Sequence, residues 1–252
     1  EKRGANMIEV DTDGIYFVLP NNSDRDAEAD AMLAEIAATM PAGIKLEIDG
    51  KYAAMFSYKM KNYVLLDAIG EMTIRGSGLK SRGLERFQRR FMEEIFLLLM
   101  TDRHAELQNL FAGYLAKIAA HEIGIDALMK TETLQDSLDN YREKVSGKRR
   151  NAAAAYELAL KSSRAYVAGD QVSYYVTGRG AKVKVATAAK LIGEYDAARP
   201  DENIEYYQAK LTDLFEKFSI FVSKPGLFAA SELEAAEPGE TSQQDFFSTS
   251  EK

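Results

Sequence analysis

Two short apolar runs, residues 7–10 and 15–18, flank Asp11-Thr12-Asp13-Gly14. Strand-forming residues on both sides of an Asp-Gly pair predict a β-hairpin with an acidic tip. The period then lengthens over residues 21–40, where Ala29, Met32, Leu33, Ile36 and Met40 recur at helical spacing. Asn21, Asn22, Ser23 and Asp24 offer N-caps, and Pro41-Ala42-Gly43 ends the helix. A strand over 44–48, a turn at Asp49-Gly50, and strands over 52–58, 63–66 and 72–74 predict an antiparallel meander. Hairpin, helix and meander together make an α+β layer.

From Leu84 the pattern becomes helical. Phe87, Phe91, Ile95, Leu98 and Leu99 stripe a helix over 84–102. Leu107, Leu110, Phe111, Tyr114, Leu115 and Ile118 stripe another over 105–123. Such stripes are most simply core. Helices are expected over 131–145, 151–161 and 204–222, and a hairpin over 171–177 and 182–185 around Gly178-Arg179-Gly180. Residues 186–195 are too short a pattern to assign. Beyond Gly226 the chain is rich in Ser, Glu and Ala, which predicts a disordered acidic tail. The expected architecture is α+β: an antiparallel sheet with a helix in 1–83, a mainly helical domain in 84–226, and a tail in 227–252.

Composition narrows the function classes. The 252 residues are 46% hydrophobic, enough for a sizeable core. With no cysteine there is no disulfide framework, thiolate zinc site or cysteine nucleophile. Only His104 and His121 are present, so a histidine-rich metal site is excluded. No apolar run reaches about 18 residues, so no membrane span or membrane partner is expected, and the expected location is cytoplasmic. The opening Glu1-Lys2-Arg3-Gly4 is neither Met nor signal peptide and runs almost straight into a strand, which suggests a piece of something longer. The net charge of −7 is the wrong sign for a protein that binds DNA over its whole surface. Any nucleic-acid contact must come from a local basic patch.

Four features carry candidate chemistry. Asp11 and Asp13 place two carboxylates at the hairpin tip, and Mg²⁺ takes oxygen ligands of that kind. The same residues also favour turns for backbone reasons alone, and both readings stand on the residues. Lys59, Lys61 and Tyr63 fall on one face of a strand by alternation; two cations and a ring there suit a sugar-phosphate backbone. Arg75, Lys80 and Arg82 lie in a glycine-containing loop that feeds a helix N-terminus. Finally, Arg142, Lys144, Lys148, Arg149, Arg150, Lys161 and Arg164 face only Glu143 and Glu157 between 142 and 164. One strongly basic segment in an acidic chain is the footprint of a phosphate-backbone contact.

These motifs, in this order, resemble family B DNA polymerases of the bacterial type. Glu9-Val10-Asp11-Thr12-Asp13-Gly14 and the apolar strand after it resemble the third polymerase motif, Tyr-Gly-Asp-Thr-Asp-Ser. Glu9-Val10 replaces Tyr-Gly, and Gly14 replaces Ser. Lys61-Asn62-Tyr63 matches a Lys-x-Tyr motif that contacts DNA near the primer terminus. Thr73-Ile74-Arg75-Gly76 and Lys80-Ser81-Arg82-Gly83-Leu84-Glu85 resemble the palm-to-thumb handover. The succession through Tyr141, the basic residues, the Ala-rich helix, Gly169 and the Tyr-rich strand resembles the thumb. The likeness spans residues 4–222.

The resemblance implies template-directed DNA synthesis at a primer 3′ end, in replication or repair. It makes 1–83 the C-terminal part of the palm and 84–226 the thumb. Asp13 would be a direct metal ligand and Asp11 a neighbour of the metals. The cofactor would be Mg²⁺ in a two-metal site completed by an Asp outside this chain. Primer-template DNA would be held by Lys59, Lys61, Tyr63, Arg75, Lys80, Arg82, Lys148, Arg149 and Arg150, with a deoxynucleoside triphosphate as co-substrate in the full enzyme. The two upstream polymerase motifs are missing, so the chain alone is expected to be inactive. The competing reading is a non-catalytic DNA-binding module derived from a polymerase thumb; polymerase motifs in the gene upstream of Glu1 would discriminate. In the tail, Gln243, Asp245, Phe246 and Phe247 lie in a pentapeptide resembling the sliding-clamp-binding motif of bacterial polymerases, which implies a clamp partner and a nucleoid-associated place of work.

Overall fold

The computed structural model describes residues 4–11, 14–19, 25–80 and 83–218. The chain divides into two compact units, the first holding residues up to 80 with 100–102, the second holding most of 81–227.

The first unit opens with the expected hairpin. Strands β1 (Asn6–Val10) and β2 (Ile15–Val18) pair antiparallel, and the register slips between Met7 and Glu9. Ile8 is therefore an extra residue, a β-bulge. Its effect on side-chain direction is large. Met7 pairs with Phe17 and Val10 with Ile15, so these four share one face, while Glu9 and Tyr16 share the other. The Met7 face is open: Met7, Val10, Ile15 and Phe17 are 36 to 55% exposed. Helix α1 (Arg25–Ala38) half-buries Ala29, Met32, Leu33 and Ile36 of the expected stripe, while Met40 lies beyond its end and is 36% exposed. Its proposed caps at 21–24 lie outside the described residues.

The expected strand at 44–48 does not form. Residues 44–48 are irregular, and Ile44, Leu46 and Ile48 are 53, 37 and 39% exposed. The alternation is real, but no described strand lies beside it to accept its backbone bonds. The meander is β3 (Ala54–Lys59), β4 (Asn62–Leu66) and β5 (Met72–Arg75), antiparallel in the order β3-β4-β5. Central β4 buries Tyr63, Val64, Leu65 and Leu66, apolar on both faces as a middle strand can be.

In the second unit α2 (Arg86–Met100), α3 (Leu107–Ala119) and the short α4 (Ile125–Leu128) precede β6 (Lys130–Thr133). They are followed by α5 (Leu138–Ser146), α6 (Ala154–Lys161), β7 (Gln171–Val176), β8 (Ala189–Leu191) and α7 (Ile204–Glu216). The predicted stripes form the core: Phe87 meets Tyr207, Phe91 meets Tyr114 and Phe215, and Ile95, Leu99, Ile118 and Leu211 are buried. Phe111 stacks on Phe215 with centroids 4.4 Å apart. Two expectations change. Residues 131–133 are strand, not helix, because β6 pairs with β7. The second partner of β7 is β8, not residues 182–185, which are irregular. The unit is thus mixed helix and antiparallel sheet.

Candidate active-site hairpin and nucleic-acid interface

The acidic tip is held by its own turn: the Asp11 amide donates to the Gly14 carbonyl at 2.9 Å. Thr12 and Asp13 lie outside the described residues. The Asp11 side chain is 27% exposed and meets Lys61 Nζ at 2.9 Å. This pair joins the two motifs that lie far apart in sequence.

Lys61 reaches the tip for a reason that strand alternation misses. Lys59 pairs with Asn62, so Met60 and Lys61 form a two-residue loop between β3 and β4. Lys61 takes a left-handed φ of 63°. A bulge between Ser57 and Lys59 breaks the ladder just before the loop. Lys59, Lys61 and Tyr63 therefore do not form the single strand face that a continuous strand would give. Lys59 is exposed, its Nζ 5.1 Å above the Tyr58 ring.

Tyr63 is 7% exposed, and the hydroxyls of Tyr63 and Tyr16 lie 3.2 Å apart. Their rings sit 5.1 Å apart at 57°. Burial, then the hydrogen bond to Tyr63, pushes the Tyr16 phenol up to about 12, so it stays neutral. Tyr63 is thus a brace between hairpins rather than an open stacking platform. Arg75 lies opposite Tyr63 on β5 and is exposed, as is Lys80. Arg82 lies outside the described residues.

In the second unit the basic segment is less free than its sequence suggests. Asp136, outside the 142–164 window, takes Lys144 Nζ and Arg150 Nη1 at 2.9 Å each. The Lys144 hydrogen bond foremost holds the Asp136 carboxyl below its usual range. Arg150 also lies 4.5 Å over the Tyr156 ring and 5.3 Å over Tyr141, two rings stacked 4.3 Å apart. Arg150 is a structural cation. Arg149 pairs with Glu143 at 2.7 Å but stays 63% exposed. Lys148, exposed at a left-handed turn, makes no ion pair among the described residues.

A cavity of about 720 Å³ in the second unit is lined by Glu85, Lys130, Glu132, Tyr174, Lys184 and Tyr206. Its charges largely serve one another: Tyr174 and Lys130 bind Glu132, and Lys210 binds Glu85. Among the described residues no three His, Asp or Glu side chains gather as a metal cage. No described helix is long and apolar enough to cross a membrane. The tail residues Gln243, Asp245, Phe246 and Phe247 lie outside the described residues.

Glu9 and Asp136 were not singled out by sequence. For Asp136 the signal was an acid shortly before the basic run. For Glu9 it was the departure from Tyr-Gly.

The family model of DNA polymerase family B matches residues 2–218. The DNA polymerase of Thermococcus kodakarensis is 26% identical over 211 residues, 82% of this chain and 12% of that protein. DNA polymerase 1 of Pyrococcus abyssi is 25% identical over 210 residues, 82% of this chain and 26% of that one. The family B DNA polymerase structure from Pyrobaculum calidifontis superposes with a TM-score of 0.66 at 20% identity, covering 86% of this chain and 26% of that one. The chain thus spans about a quarter or less of the length of these relatives. They are archaeal, and the expected bacterial placement gains no support from them.

Proposed function

The chain belongs to DNA polymerase family B, and on that footing we propose that it is the part of a DNA-directed DNA polymerase that carries the acidic hairpin of the nucleotidyl-transfer centre and a grip on primer-template. The Asp11–Lys61 contact carries this reading, because it brings the acidic motif and the Lys-x-Tyr motif to one place.

Nucleotide addition joins the primer 3′-hydroxyl oxygen to the α-phosphorus of a deoxynucleoside triphosphate and expels pyrophosphate. Asp11 and Asp13 are the residues that would hold Mg²⁺, since hard carboxylate donors on a short turn suit that ion. When bound, the metal would ease ionisation of the primer hydroxyl and offset charge on the phosphate. Lys61 presents its ammonium beside the tip, where a phosphate near the primer end would become a further partner. Tyr16 and Tyr63 keep the spacing of tip and lysine from drifting. Lys59, Arg75, Lys80 and Arg82 extend the phosphate contact in the palm. Lys148 and Arg149 supply it in the thumb, and Arg150 holds their loop in place.

Nucleotide binding and the remaining catalytic carboxylate are assigned to polymerase segments other than those matched here. The 252-residue chain is therefore expected not to extend a primer alone. Replication or repair would be the setting, with a sliding clamp engaged through residues 243–247. The test is primer extension and duplex binding by the polymerase that contains this chain. Extension lost on Asp13→Asn with binding kept supports the proposal. DNA binding with no extension by the unaltered polymerase would favour the non-catalytic module instead.

A further inference from the structure

Glu9 stands where the third polymerase motif has Tyr-Gly, and the structure gives it a task of its own. Its carboxylate spans the gap between the two hairpins. Oε2 accepts from Ser57 Oγ at 2.7 Å, and Oε1 accepts from the Lys61 backbone amide at 3.2 Å. The bulge at Ile8 is what permits this. In an unbroken ladder continuing from the Met7–Phe17 pair, Glu9 would lie opposite Ile15 and face outward. With the bulge it faces inward, beside Tyr16.

The amide it holds belongs to a residue that needs holding. A side chain with a β-carbon takes φ of 63° only where its surroundings impose it. Here they press from two directions. Glu9 binds the Lys61 amide. Gly76, at φ of 90°, approaches so closely that a Cβ there would fall 2.2 Å from the Lys61 carbonyl oxygen. Asn62 Oδ1, accepting the Gly78 amide at 2.7 Å, ties down the same loop.

We infer that Glu9 is a positioning residue for Lys61: its two hydrogen bonds fix the Met60–Lys61 loop and so keep the Lys61 ammonium beside Asp11. Glu9 acts through Lys61 and does not itself contact DNA. The inference rests on the reading of Lys61 as a contact near the primer end.

The test uses the 252-residue chain with Glu9→Ala, Glu9→Gln, Lys61→Ala and the double variant Glu9→Ala/Lys61→Ala. Two readouts are taken: hydrogen exchange at the Lys61 amide, and primer-template binding by fluorescence anisotropy at fixed salt. The Glu9→Gln side chain keeps both bonds, its carbonyl taking the Lys61 amide and its amino group donating to Ser57 Oγ, while it sheds the charge. Glu9→Ala should speed Lys61 exchange by about tenfold or more and weaken binding several-fold. Glu9→Gln should stay within about twofold on both, and Glu9→Ala should add nothing once Lys61 is Ala.

Unchanged Lys61 exchange in Glu9→Ala would overturn the inference. So would Glu9→Gln as damaging as Glu9→Ala, which would mark a charge effect, or losses that add in the double variant. If Lys61→Ala binds DNA normally, the assignment of Lys61 falls, and the exchange readout still decides separately whether Glu9 holds the loop. Should Glu9→Ala not fold, Ser57→Ala removes one of the two donors and is read in the same way.

Discussion

Asp11 and Lys61 lie at the ends of different hairpins, and their side chains meet at 2.9 Å. A single ion pair whose lysine is exposed and whose aspartate is half-buried contributes little to stability, so its value is in placement. Lys61→Ala should leave the melting temperature nearly unchanged. It should weaken primer-template binding and reduce the slope of log affinity against log salt by about one charge. An anisotropy titration across salt concentrations measures both; an unchanged slope would remove Lys61 from the interface.

Asp13→Asn in the complete polymerase removes a ligand charge and leaves every described cation in place. Nucleotide addition should fall by orders of magnitude while duplex affinity stays within about twofold. Near-normal primer extension would end the assignment of the tip as a metal site.

The basic segment should separate into two behaviours. Lys148→Ala/Arg149→Ala should weaken duplex binding and flatten its salt slope, with stability within about 0.5 kcal/mol. Arg150→Ala removes a half-buried ion pair and a cation–π contact, and should cost about 1–3 kcal/mol on thermal or urea unfolding. Equal stability losses from both would contradict the division.

Asp136 carries a pH signature. Its folded carboxyl lies below the ordinary aspartate value of 3.8, chiefly through Lys144. The stability it adds is complete above that ordinary value and is lost as pH falls through the lower folded one. The difference in unfolding midpoint between the unaltered chain and Asp136→Asn should therefore be full at pH 6 and shrink progressively as pH falls below 3.8. A constant difference across that range would show that the carboxylate is not the source.

The tail proposal is tested by pull-down with the clamp of the same organism. The unaltered tail should be retained, and Phe246→Ala/Phe247→Ala should be lost, since two adjacent aromatics are the only apolar anchors in that motif. Equal retention would remove the clamp and leave the polymerase reading untouched.

Local chemistry made much of this architecture legible. The first hairpin, the α2 and α3 stripes and the meander were readable because turn residues and apolar periods agree there. Residues 44–48 misled because alternation states only that a strand could form, not that a neighbour exists. Thr131-Glu132-Thr133 reads locally as the start of a helix, because its pairing with β7 is a long-range fact. By alternation Lys61 reads as part of a strand face, because no Asn-Gly or Asp-Gly pair marks its loop; the left-handed conformation is held by Glu9 and Gly76. In the basic segment the partner that matters, Asp136, lies just N-terminal to residues 142–164.

The bulge at Ile8 makes β1 a segment whose residue count is functional information. Deleting one residue there would restore an even ladder, and the hairpin could still form. Its inner and outer sets would then be exchanged on one side of the deletion, so that either Met7 would turn inward or Glu9 outward. Substitutions along β1 should be tolerated according to size and polarity. Single-residue insertions and deletions should instead act as frameshifts of the side-chain pattern, harmful whichever residue is gained or lost.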